Sequence, residues 1–119
     1  MKTGDAIEAF AALAQGTRLD VFRLLVKHEP SGLAAGEIAQ RLDVPHNTMS
    51  SHLAILARAG LVSSRRESRS IIYRAELVSF QKLALFLLED CCGGDQLVCA
   101  PVVKTLSACC PPRRRKSRA

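Results

Sequence analysis

The sequence predicts a mainly α-helical chain carrying one small β-hairpin, and three observations lead there. Apolar residues recur at helical spacing through most of the chain. One stretch, residues 61–74, reads as two short strands about a turn. The composition is 48% hydrophobic but only 4% aromatic, with no Trp, so aliphatic packing between helices has to supply the core. At 119 residues the chain supports one domain with a modest core, more comfortable if it shares apolar surface with a partner.

The first helix is expected over residues 5–15, where Ala6, Ile7, Ala9, Phe10, Ala11, Ala12 and Leu13 are interrupted only by Glu8. A helix apolar on every side has to be buried on every side. Gly16 is expected to close it, and Thr17-Arg18-Leu19-Asp20 has the form of a capping box with Asp in place of Glu. The second helix is expected to run to about Glu29, with Leu19, Phe22, Leu25 and Val26 inward, before a Pro30-Ser31-Gly32 loop.

A shorter helix follows at about 35–42, with Ile38, Ala39 and Leu42 inward, and Asp43-Val44-Pro45 makes a turn. The next helix spans 46–59 over a buried stripe of Met49, Leu53 and Leu56, and Gly60 stops it. Two short helices joined by a tight turn, the second rich in small polar residues, fit a helix-turn-helix. Leu61–Arg66 and Ser70–Arg74 form a hairpin around Glu67-Ser68-Arg69, which makes a wing.

A last helix is expected over 77–89, where nine of the first twelve residues are apolar. So small a domain cannot cover both this helix and the first one. The pair is therefore expected to form a homodimer interface. The organisation that follows is a winged helix-turn-helix (α-α-α-α-β-β-α) over residues 1–99, with a tail at 100–119 whose end, 111–119, is expected to be disordered.

The net charge of +6 is unevenly spread. Residues 1–57 and 75–110 are each slightly acidic. Positive charge gathers in two places, the 58–74 stretch with Arg58, Arg65, Arg66, Arg69 and Arg74, and the last nine residues. The central stretch is where a polyanion would be met. No apolar run is long enough to span a membrane, and the N-terminus lacks the form of a secretory signal. A cytoplasmic protein with reduced cysteines is expected. Five cysteines, two vicinal pairs among them, also suit a disulfide framework poorly.

On the 46–59 helix the residues opposite the buried stripe are Asn47, Thr48, Ser50, Ser51 and Arg58, with His46 at the entrance. Short side chains let the backbone approach base edges, and their amide and hydroxyl groups can donate or accept there. Arg65, Arg66 and Arg69 on the wing would reach the flanking sugar-phosphate backbone and add salt-dependent affinity. A polar face alone is common on helical domains; its place between a short helix and an arginine-rich hairpin favours double-stranded DNA as partner. His52 borders the buried stripe and reads as structural, and His28 as a helix-end or surface group.

Just past the last helix, Cys91, Cys92 and Cys99 lie in the run Glu89-Asp90-Cys91-Cys92-Gly93-Gly94-Asp95-Gln96-Leu97-Val98-Cys99. Thiolates select soft ions, and three clustered in a polar, glycine-containing segment are hard to explain as inert small hydrophobes. Gly93-Gly94 lets the backbone bend, so adjacent cysteines can offer both sulfurs. Cys109-Cys110, beside Pro111-Pro112, reads as a bystander pair.

Five stretches run in order over some 85 residues: Arg18-Leu19-Asp20-Val21-Phe22-Arg23-Leu24-Leu25, Gly36-Glu37-Ile38-Ala39-Gln40-Arg41-Leu42, Thr48-Met49-Ser50-Ser51-His52-Leu53, Ala57-Arg58-Ala59-Gly60-Leu61-Val62, and the wing with Tyr73. On these the chain resembles the arsenic-repressor (ArsR-type) winged-helix transcription regulators. The resemblance implies a homodimer that represses its own operon on a dyad-symmetric operator and is released by a ligand. Two departures stand out. Pro45 replaces a serine-like helix cap, which would shift the start of the recognition helix, and Ser68 replaces a wing glycine, which would enlarge the wing turn.

The resemblance also sorts the sensor sites. The family's arsenic site in the first helix of the reading unit needs cysteines, and Gly36 to Leu42 has none. Its zinc-type site needs Asp and His on the last helix, which offers only Glu89 and Asp90. What remains, Cys91, Cys92 and Cys99, is similar to the three-cysteine arsenite sites after the last helix of some members. The implied inducer is As(III), with Sb(III) as a related ion, since a trivalent soft ion with a lone pair prefers three sulfurs in a pyramid. Zinc would want a fourth ligand, which Cys109 or Cys110 could supply. Redox or sulfur-species sensing by the same thiols remains open. A thiol enzyme is disfavoured, because Glu89, Asp90 and Asp95 would raise the thiol pKa values.

Overall fold

A computed structural model describes residues 1–88, 100, 101 and 104. The elements run α1 (Thr3–Leu13), α2 (Gly16–Lys27), β1 (Leu33–Ala34), α3 (Ala35–Leu42), α4 (His46–Arg58), β2 (Val62–Glu67), β3 (Ser70–Ala75) and α5 (Leu77–Leu88). The chain divides into two compact units, Met1–Phe86 and Leu87–Ala119. Of the second unit's expected tail, Ala100, Pro101 and Lys104 are helical and exposed, and the rest lies outside the described residues.

The core of the first unit is aliphatic, as the composition requires. Val21 and Leu25 from α2, Ile38 from α3, Met49, Leu53 and Leu56 from α4, and Leu61 before β2 are all sealed from solvent. The expected α4 stripe is therefore at the heart of this unit's core. Phe80 of α5 meets Phe22 with ring centroids 5.7 Å apart, and Leu83 is buried beside this cluster.

The reading unit is closed at both helix ends by left-handed residues. Asp43 (φ 56°) follows α3, and the Val44 N–H reaches the Ala39 carbonyl at 3.0 Å. Gly60 (φ 80°) follows α4, with Leu61 N–H donating to Leu56 O and Gly60 N–H to Ala57 O, each at 3.0 Å. Both satisfy carbonyls that a helix C-terminus leaves open.

Four local expectations need correction. Gly16 opens α2 rather than closing α1, and the capping side chain is Gln15, whose Oε1 accepts from Arg18 N–H at 2.9 Å; the Thr17 box does not form. The link between the first two helices is thus only Ala14-Gln15. Leu19 and Val26 of α2 are exposed, and Val21 takes the inward place with Phe22 and Leu25. On a helix this rich in apolar residues several stripes fit the 3.6 period, and the neighbours decide which one is buried. Finally, β1 extends the hairpin to a three-stranded antiparallel sheet in the order β1-β3-β2. Two residues of strand are too short to show a period in sequence.

The first helix also departs from all-round burial within a single chain. It buries only Ala6, Ala9 and Ala12, leaving Ile7 (63% exposed) and Phe10 in the open. Likewise α5 leaves Leu77, Val78, Phe80 and Leu85 exposed. Arg18 ties α1 down from α2: its guanidinium donates to the Ala12 and Ala11 carbonyls at the α1 C-terminus, where α1 has no basic residue of its own.

Candidate nucleic-acid interface

The outward face of α4 assembles as expected. His46, Asn47, Thr48, Ser50, Ser51 and Arg58 are all exposed, opposite the sealed Met49, Leu53 and Leu56. Pro45, the residue before the helix, gives it no side-chain cap, so of the first-turn N–H groups those of His46 and Asn47 have no partner among the described residues and can meet an anion such as a phosphate. Two polar residues are partly committed to their own helix: Asn47 Oδ1 accepts from Thr48 N–H at 2.9 Å, and Ser51 Oγ donates to Asn47 O at 3.4 Å.

An open groove of about 330 Å³ runs between this face and the wing. His46 and Ser50 line one side, Arg69, Ser70, Ile71 and Tyr73 the other, and the Ala34-Ala35-Gly36 start of α3 the floor. Helix face and wing are thus brought together at His46, Ser50 and Arg69. Arg58, at the far end of α4, does not line the groove.

The wing turn is tight, not enlarged. Glu67 pairs directly with Ser70, so only Ser68 and Arg69 turn the chain, with Ser68 at φ 56°. Register then separates the wing arginines. Arg66 pairs with Ile71 and Ser64 with Tyr73, whereas Arg65 pairs with Ile72 and Ser63 with Arg74. Successive strand residues face opposite ways, and Ile71 and Tyr73 line the groove, so Arg66 shares the groove side with Arg69. Arg65 belongs to the other face. There it donates to Glu67 Oε2 (3.0 Å from Nη2) and to the Ser31 carbonyl at 3.4 Å.

That rear face also holds Arg74, which the sequence counted among the charges that would meet a polyanion and which is instead paired within the fold. Arg74 Nη2 meets Glu29 Oε1 at 2.9 Å, joining β3 to the end of α2. The hydrogen bond to Glu29, followed by the attraction of its charge, raises the Arg74 pKa above its ordinary value, so the cation persists at any working pH. The partners are 45 residues apart, a separation over which no local pattern operates. His28 also proves more connected than a surface group: Nδ1 sits 3.0 Å from the Leu24 carbonyl and Nε2 3.4 Å from Arg41 Nη1. A neutral ring protonated at Nδ1 satisfies both contacts. His52, beside the stripe, is half-buried, and its Nδ1 has no hydrogen-bond partner among the described residues.

Among the described residues, no group of three His, Cys, Asp or Glu side chains is placed to hold a metal ion. Cys91, Cys92 and Cys99, with Cys109 and Cys110, lie outside the described residues. Among the described residues no helix is long and apolar enough to cross a membrane.

Residues 13–65 match the family described as Helix-turn-helix domain. The chain is 30% identical over 91 residues to the transcriptional activator HlyU of Vibrio cholerae, covering 76% of this chain and 82% of HlyU. The solved structure of an ArsR-like transcriptional regulator from Rhodococcus sp. RHA1 is 28% identical with a TM-score of 0.64, over 89% of this chain and 90% of that one. The transcriptional repressor BigR from Xylella fastidiosa is 27% identical with a TM-score of 0.56, over 72% of this chain and 87% of BigR. These relatives are transcription regulators, not enzymes. With a helix-turn-helix whose polar face opens onto a basic wing, the chain belongs to the ArsR family of winged helix-turn-helix, DNA-binding transcription regulators.

Proposed function

We propose that this regulator is a homodimeric repressor of a dyad-symmetric operator, released when As(III), or the related Sb(III), binds Cys91, Cys92 and Cys99. The observation that carries the proposal is the run of three thiols directly following α5 in sequence. They come after a helix whose Leu77, Val78, Phe80 and Leu85 are left open in the single chain. Together with Ile7 and Phe10 of α1 these residues form the surface that a second copy would cover. The protein would work in the cytoplasm, where thiols stay reduced.

The switch follows from that adjacency. A dimer reads half-sites about 34 Å apart, one helical turn, so a small change in spacing breaks several contacts at once. Drawing three sulfurs onto one ion reorders the chain at the end of the dimerisation helix. Ligand and operator then oppose one another, each weakening the other by the same factor. HlyU is described as an activator and BigR as a repressor, so repression is part of the proposal and is not carried over from either relative.

The test is a gel shift with a duplex spanning the region upstream of the protein's own coding sequence, under reducing conditions. Arsenite should release the wild-type protein and leave the Cys91→Ser, Cys92→Ser, Cys99→Ser triple variant bound. A triple variant that still lets go refutes the site. Release by a mild oxidant, or by zinc, but not by arsenite would instead favour the redox, sulfur-species or zinc-responsive reading of the same thiols.

A further inference from the structure

Behind the wing, the loop between α2 and β1 holds the sheet at three points. Glu29, whose side chain is 12% exposed, binds Arg74 of β3 at 2.9 Å. The Ser31 carbonyl accepts from Arg65 of β2 at 3.4 Å. Gly32 lies flat against β3: a Cβ added there would stand 2.5 Å from the Tyr73 carbonyl oxygen and 2.7 Å from Arg74 Cγ. Its φ of 77° also suits glycine alone. By contrast, β1 itself grips β3 through two residue pairs, Leu33 with Tyr73 and Ala34 with Ile72.

We infer that Glu29 and Gly32 are positioning residues for DNA binding: they set the angle at which the wing presents Arg66 and Arg69 to the phosphate backbone. The loop is anchored in the core by α2, where Leu25 is sealed, and it acts on the base of the wing. From Arg74 to Arg69 the hairpin extends about 16 Å at strand rise. A tilt of roughly ten degrees at the base therefore moves the tip by almost 3 Å, enough to lose a hydrogen bond to a phosphate oxygen. The groove between the His46–Ser50 side and Arg69 would widen with the same movement.

The inference rests on the wing arginines touching DNA, and the experiment separates the two. Binding to a labelled mixed-sequence duplex is measured across a salt series for wild type, Arg66→Ala/Arg69→Ala, Glu29→Ala, Gly32→Ala, and each positioning variant combined with the arginine pair. Circular dichroism establishes that every protein is folded at the assay temperature. Arg66→Ala/Arg69→Ala should flatten the salt slope by about one for each phosphate no longer neutralised. Glu29→Ala should weaken binding at least threefold and Gly32→Ala at least tenfold, each with a flatter slope though both wing arginines remain. In the Gly32→Ala background the arginine pair should then change affinity less than twofold.

A loss confined to stability would leave the slope of the folded protein unchanged. If Gly32→Ala melts below the assay temperature, Glu29→Ala, which adds no bulk, decides alone. Full wild-type slope in Glu29→Ala, or an undiminished arginine effect in Gly32→Ala, overturns the inference. An arginine pair whose removal changes nothing overturns it too, and with it the contact of the wing with DNA.

Discussion

Ser68 turns the wing with φ at 56°, a conformation costing an L-residue about 1 kcal/mol that glycine largely avoids. Ser68→Gly should therefore raise the unfolding free energy by about 0.5–1 kcal/mol in urea denaturation, offset in part by greater freedom of the unfolded chain. The same tight turn brings Arg69 to the groove. Arg18 is the second residue whose role shows only in three dimensions. It donates to two carbonyls at the end of α1, and charge-assisted bonds of this kind are worth about 1.5–3 kcal/mol each at most. Arg18→Met, which keeps much of the aliphatic stem, should lower stability by about 1–2 kcal/mol, read from the denaturation midpoint. Sequence placed an N-cap near Thr17 because the pattern there is formally correct; the two-residue link before α2 moves the cap to Gln15.

The recognition helix has two faces with separable consequences. Leu53 is sealed in the core, so Leu53→Ala should cost about 2–5 kcal/mol of stability. Ser50, exposed on the groove, should change stability by no more than about 0.5 kcal/mol when replaced by Ala, yet weaken DNA binding in a gel shift. This element was the most legible in sequence, because Met49, Leu53 and Leu56 fall at i, i+4 and i+7, one helix face, between two stops, Pro45 and Gly60. The wing was legible as a hairpin but not in its division of labour. Arg65 and Arg66 are neighbours in sequence and sit on opposite faces, and Arg65 has Glu67 beside it. Arg66→Ala should accordingly weaken DNA binding more than Arg65→Ala. The rear partners Glu29 and Ser31 were invisible, since their contacts join residues 34 and 45 positions apart.

At the scale of the molecule, α1 and α5 carry most of the large apolar side chains exposed among the described residues. In the proposed homodimer, Ile7→Glu together with Leu85→Glu should halve the mass seen by sedimentation and lower affinity for the proposed operator far more than either costs in helix stability, because half-sites are then bound singly. That two helices were too apolar to stand alone could be read from composition. Which of their residues meet the protein's own core could not, since an evenly apolar helix gives no preferred side. The answer places the small residues inward. Ala6, Ala9 and Ala12 are the fully buried side chains of α1, with Leu13 at the edge of the core and Arg18 holding its last carbonyls, and three methyl groups at about 0.8 kcal/mol each do little against the ordering of eleven residues. Amide protons in this helix should consequently exchange with deuterated solvent well ahead of those in α4, and slow as concentration rises. The N-terminal segment would then be the part of the fold that registers whether a second copy is near.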